Sequence, residues 1–161
     1  MGYSNAYPVC SADGTTVKRV NLFGARLTGT LPDAIGAWVD ILLFDVHANT
    51  LSGAMPPSSV KWRALTYFDI SNNHFSGEEP LPALPFSAIT SCGLLIGANA
   101  FQCPWPAGAT AICDKWSNQQ QGWVFITDAD CTPTASPTPA PRGKRRLRKT
   151  KVAALREWTS V

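Results

Sequence analysis

Around Asn49 the chain sets apolar residues at Ile41, Phe44, Val46 and Leu51, followed by Gly53 and Pro56. Asn73, 24 residues on, repeats the arrangement with Leu65, Phe68, Ile70, Phe75, Gly77 and Pro80. One step back stand Val17, Val20, Leu22, Leu27, Gly29 and Pro32, with Ala25 in the asparagine slot; one step forward stand Leu94, Ile96, Asn99, Phe101 and Pro106. This last step is 26 residues, which predicts a two-residue insertion between Pro85 and Cys92. One pattern written four times predicts four stacked units, because a unit this small cannot bury its apolar face alone.

Within each unit the pairs Val20/Leu22, Phe44/Val46, Phe68/Ile70 and Leu94/Ile96 alternate with polar neighbours. Such alternation predicts a short strand with one buried face, and stacking turns those strands into a parallel sheet at ~4.8 Å spacing. Asn49, Asn73 and Asn99, turned inward, predict a ladder in which each amide bonds backbone groups of neighbouring turns, since a buried unpaired amide costs a few kcal/mol. Pro32, Pro56, Pro80 and Pro106 begin the return leg without leaving an unpaired N–H. Trp38, Trp62 and Phe86 each follow a proline by six residues and predict an aromatic spine on the convex side.

The stretches "ILLFDVHANTLSGAMP" (41–56) and "LTYFDISNNHFSGEEP" (65–80) resemble the plant-type, 24-residue leucine-rich repeat pattern LxxLxLxxNxLxGxIPxxLGxL. The resemblance covers residues 8–106, and "PVCSADGTTVKRVNL" is similar to the latter half of the N-terminal cap of such extracellular proteins. It implies an α/β-type solenoid: a short right-handed coil with a parallel β-sheet on the concave face, a mostly irregular or 3-10 convex side and a disulfide C-terminal cap. The expected organisation is a partial N-terminal cap at 1–16, four repeats at 17–106, a Cys-rich cap at 107–131, and a Pro/Thr stalk with a basic disordered tail at 132–161. With its stalk segment "TPTASPTPAP", the chain is also similar in composition to leucine-rich-repeat surface antigens of kinetoplastid parasites.

Four of the five cysteines, Cys92, Cys103, Cys113 and Cys131, cluster at the end of the patterned region without a CxxC pair. That spacing reads as a disulfide-stapled cap and an oxidising compartment, with three pairings open. Cys10 belongs to the first unit, beyond the ~7 Å reach of a bridge to the others, and is expected to be the free thiol. The N-terminus carries no basic start followed by an apolar stretch, which disagrees with disulfides and suggests a chain lacking its natural start. No run approaches the ~18–20 apolar residues of a membrane span, so membrane association is expected only through missing termini.

Net charge is +3, yet "RGKRRLRKTK" (142–151) holds seven of the fourteen Lys and Arg, leaving seven basic against eleven acidic residues elsewhere. The run is expected to be a solvated tail; a nucleic-acid patch, a juxtamembrane segment and a membrane-surface helix are its other readings, and no nucleic-acid partner is expected.

Outward positions on the strands are Arg19, Asn21 and Phe23; Leu43, Asp45 and His47; Tyr67, Asp69 and Ser71; and Leu95. They mix aromatic anchors with charge, the composition of interface hot spots, and are the expected binding face for a protein or glycan ligand. Asp45 and Asp69 share a row, so one carboxyl is expected to titrate high. No GxGxxG, P-loop or GxSxG motif occurs, and no catalytic residue is assigned. His47 and His74 fall on different faces, so no metal is expected, nor any cofactor. The expected function is a monomeric, non-catalytic, extracellular or cell-surface recognition module. The alternatives are an inhibitor of secreted hydrolases, of the polygalacturonase-inhibitor kind, and a structural coat protein.

Overall fold

A computed structural model of the chain describes residues 9–94, 98–117 and 122–133. Its strands, in chain order, are β1 (Val9–Cys10), β2 (Val17–Asn21), β3 (Thr28–Thr30), β4 (Leu43–Asp45), β5 (Thr50–Gly53), β6 (Tyr67–Asp69), β7 (His74–Pro80), β8 (Ser91–Gly93), β9 (Ala100–Gln102), β10 (Cys113–Ser117) and β11 (Gly122–Phe125). They form a seven-stranded sheet, β1-β2-β4-β6-β8-β10-β11, and a four-stranded sheet, β3-β5-β7-β9.

In the larger sheet β2, β4, β6 and β8 run parallel, with Val20, Phe44, Phe68 and Cys92 opposite one another. None of the four is more than 3% exposed. Burying such a side chain is worth about 1.5–3 kcal/mol, which selects apolar residues at every second position. Val46, Ile70 and Leu94 continue the buried face.

This register relocates the insertion. The step of 24 holds through β8, where Phe68 faces Cys92 and Asp69 faces Gly93, so the buried pair of the fourth unit is Cys92/Leu94 and not Leu94/Ile96. The two extra residues fall between Leu94 and Asn99: the asparagine amide reaches back three residues to Ile70 O in the third unit but five to Leu94 O in the fourth. Cys92 fills the slot of a larger side chain because its sulfur is bridged to Cys113 across β8 and β10. Leu95, expected to lie opposite Asp69, yields that place to Gly93 and itself falls outside the described residues, as does Ile96.

The parallel, repeating arrangement fits the expected α/β type, although the described residues are mostly strands. Regular α-helix among the described residues is limited to Ala109–Ile112, and the segments after each asparagine form the second, parallel sheet. The 3-10 segments that do occur, Asp33–Ala37 and Pro57–Lys61, start after Pro32 and Pro56 and end at Trp38 and Trp62. They pack so closely that a Cβ on Gly36 would lie 2.3 Å from Ser58 Cβ, leaving glycine as the residue that fits. Trp62 and Phe86 are buried, whereas Trp38 is half-buried and lines an apolar cleft with Leu27, Leu31 and Ile35 at the first unit.

Three asparagines tie the two sheets together. Asn73 Oδ1 accepts from Leu51 N at 2.9 Å, while its Nδ2 donates to Val46 O, Ile70 O and Ser71 O at 2.9–3.1 Å. Asn49 accepts from Leu27 N and donates to Leu22 O, Val46 O and His47 O. Asn99 accepts from Phe75 N and donates to Ile70 O and Leu94 O. Two bonds of each asparagine, one accepted and one donated, reach backward along the chain to the unit before, and so do the side-chain donors of Thr50, Ser52, Ser58, Trp62, Thr66 and Thr90.

Beyond the fourth unit the chain caps both sheets. β10 adds to β8 in parallel and β11 turns back antiparallel on β10. Thr132 pairs with Gln102 on the second sheet, and Trp105 Nε1 donates to Thr127 O at 2.8 Å. Of the three possible pairings the cap uses Cys92–Cys113 and Cys103–Cys131, with sequence separations of 21 and 28. Closing loops of that size removes about 3 kcal/mol of denatured-chain entropy per bridge in the loop-closure account. Cys10 is a free, exposed thiol. Among the described residues no helix is long and apolar enough to cross a membrane.

Candidate functional site

The outward face of the seven-stranded sheet is ordered by register. One row reads Asn21, Asp45, Asp69, Gly93, Asp114 and Phe125, and a second reads Arg19, Leu43, Tyr67 and Ser91. Phe23, His47 and Ser71 stand two residues beyond the first row on their strands. The described residues expected to make a binding face are thus brought together, Leu95 lying outside them, but they do not play one role. Asp45 and Ser71 are 5% and 2% exposed, so neither presents a contact surface. They instead hold their neighbours.

Asp45 Oδ1 accepts from the backbone N of His47 at 3.1 Å and lies 2.6 Å from His47 Nδ1. The Phe23 ring stacks on the imidazole, centroids 5.0 Å apart and planes 9° from parallel. Asp69 Oδ1 accepts from Ser71 N at 2.9 Å and Ser71 Oγ at 2.6 Å. The Asp69 carboxylate also lies over the neighbouring strand, because β8 offers no side chain there. A Cβ on Gly93 would meet Asp69 Oδ1 at 2.5 Å. One ligand atom each from Asp45, His47 and Asp69 lies within 4.8 Å of the others, a donor set of the kind that divalent transition ions take. The sequence reading weighed His47 only against His74, which is exposed in β7, and so passed over this grouping.

The carboxylates crowd one another. Burial pushes the Asp69 carboxyl above its usual range, and Asp45 adds to the rise while bonds from Ser71 and the nearby His47 oppose it. Burial, then Asp69, raises Asp114 as well. Burial and the three carboxylates of Asp69, Asp45 and Asp114 push the Tyr67 hydroxyl up to about 12. Asp114 and Gly93 escaped the sequence reading: Asp114 follows Gly93 by 21 residues instead of a full repeat, and a glycine announces no chemistry.

The raised Asp69 has a consequence for stability. Its folded form binds a proton more tightly than the unfolded chain, so stability falls as pH climbs from about 4, the unfolded value, through the higher folded one. Asp69→Asn keeps an oxygen for Ser71 and removes the charge. The variant should therefore be more stable than the parent at pH 7, by on the order of 1 kcal/mol, with the difference vanishing below about pH 4. Urea titrations at several pH values read this directly; a variant less stable at pH 7 would contradict it.

Residues 64–84 match the family model of the Leucine Rich Repeat. Together with the recurrence of the same slots in parallel, in-register strands, this supports a leucine-rich repeat protein. A comparison with curated proteins gives no match.

Proposed function

We propose that the chain is a non-catalytic recognition module that binds a partner protein through the outward face of its seven-stranded sheet. The observation that carries this reading is the row structure of that face, where Arg19, Leu43, Tyr67 and Asp69 stand on three parallel strands with Phe23 and His47 just beyond the ends of two of them. Aromatic groups beside charges are what interface hot spots are made of, and leucine-rich repeats are generally protein-binding modules. In this reading the four units at 17–106 wind as a right-handed solenoid with the face on its concave side, the handedness that parallel crossovers favour, and 107–131 is the cap. Two disulfides support an extracellular or cell-surface setting.

The test uses a random linear peptide library displayed on phage. Selected binders should lose affinity for Phe23→Ala and Tyr67→Ala proteins whose melting is unchanged, and should still bind Val60→Ala, which removes an apolar side chain 44% exposed in the second 3-10 segment. Binders that ignore Phe23 and Tyr67 but need Val60 would place recognition elsewhere.

A further inference from the structure

The face is not uniform: at its centre the small residues Ser91 and Gly93 leave a recess of about 230 Å³, walled by Tyr67, Asp69 and Asp114. Asp69 and Asp114 stand on either side of Gly93, on strands two steps apart, so their Cα atoms are roughly 10 Å from each other. Both carboxyls meet a partly desolvated space. Among the described residues no lysine or arginine forms an ion pair with Asp45, Asp69 or Asp114; Lys18 pairs with Asp40, and Arg19 stands in the second row, two strands from Tyr67. Burial first, and the neighbouring carboxylates after it, raise both carboxyls and the Tyr67 hydroxyl, a direction that a cation entering the recess would oppose.

We propose that this recess receives an arginine side chain presented by the partner protein. The inference rests on the sheet face being the binding face and adds the chemistry of what enters it. A guanidinium is planar, carries donors along two edges, and can meet one carboxylate on each side while its flat face lies on an aromatic ring; a lysine ammonium offers a single point of charge and no plane. The recess supplies the matching set: Asp69 on β6, Asp114 on β10 and, in the second row, Tyr67, all lining it. Gly93 keeps the floor open, since any side chain there would displace the Asp69 carboxylate.

The experiment is an NMR titration of the full chain with a capped Gly-Arg-Gly peptide and its citrulline counterpart, which has the same shape without the charge. The arginine peptide should shift the backbone amides of Asp69, Gly93 and Asp114 saturably, and the citrulline peptide should not. Asp69→Asn and Asp114→Asn, which keep the shape of each side chain, should each weaken the arginine peptide about tenfold. Equal shifts from both peptides, or shifts confined to other residues, overturn the proposal. It is also overturned if replacing the seven basic residues of 142–151 by serine alone moves the three amides, because the recess would then hold the chain's own tail. If the tripeptides leave the recess untouched while the library-selected binders still depend on Phe23 and Tyr67, only the arginine assignment falls; if those binders ignore the face, the functional reading falls with it.

Discussion

Trp62→Ala should cost about 3–5 kcal/mol, a large part of the 5–15 kcal/mol that holds a domain of this kind together. The indole is fully buried, its ring centroid 4.8 Å from that of Phe44, and Nε1 donates to Ile35 O at 2.9 Å. Alanine therefore opens a cavity beside the Phe44–Phe68 stack and removes one of the two bonds that Ile35 O accepts, the other coming from Trp38 N. Trp62→Phe separates the two effects: most of the ring remains, the N–H is lost, and the expected penalty falls to the ~0.5–1.5 kcal/mol of one hydrogen bond together with the smaller volume lost. Urea unfolding under non-reducing conditions measures both, and an alanine variant that loses under about 1 kcal/mol would mean that the indole is not the core residue described.

Asn73→Leu should also destabilise the fold, although it fills nearly the same space. Asn73 is 1% exposed and its amide serves Leu51 N, Val46 O, Ile70 O and Ser71 O. Ser71 O keeps a bond from Ala48 N, Val46 O one from Asn49 Nδ2 and Ile70 O one from Asn99 Nδ2, so the group left unpaired is Leu51 N, at about 1–3 kcal/mol, while each of the three carbonyls loses one of its bonds. Asn21→Leu is the control: that amide sits on the outward face and makes one long bond, 3.5 Å, to Phe23 N. The two variants should differ by at least the ~1–3 kcal/mol of the orphaned Leu51 N in thermal or urea unfolding. Equal costs would show that asparagine at 73 acts through shape and not through its amide.

Much of this architecture is legible in the sequence because the repeat couples chemistry to position. Asn49, Asn73 and Asn99 stand where only a side chain with both a donor and an acceptor can bridge two units, and the prolines stand where a backbone N–H has no use. The second sheet is not legible, because β3 and β5 read TGT and TLSG: small polar residues with no alternation, made into strands by the neighbours they bond and not by their own preference. The insertion was misplaced for a related reason. Leu94/Ile96 and Cys92/Leu94 alternate equally well, and a cysteine counted as a bridge was not counted as an apolar core residue, although it is among the most often buried. On the face, alternation located the outward row but not its depth: Asp45 and Ser71 belong to it and are buried, since His47 and Asp69 lean over them. Asp114 comes from the cap, where the period has already lapsed.

The backward direction of the side-chain bonds gives the chain an arrow in time. Leu27 N waits for Asn49, Leu51 N for Asn73 and Phe75 N for Asn99; Ile35 O waits for Trp62. During synthesis, at about 5–20 residues per second, each unit emerges before the atoms that complete it, so none can be finished when its own last residue is made. The debt passes forward from unit to unit until the cap arrives, where Cys131 closes on Cys103 and Thr132 bonds back to Phe101 and Cys103. A nascent chain stopped short of Cys131 is therefore an unfinished object at its growing end, and oxidation of the last bridge marks the moment at which the whole array has become a single protein.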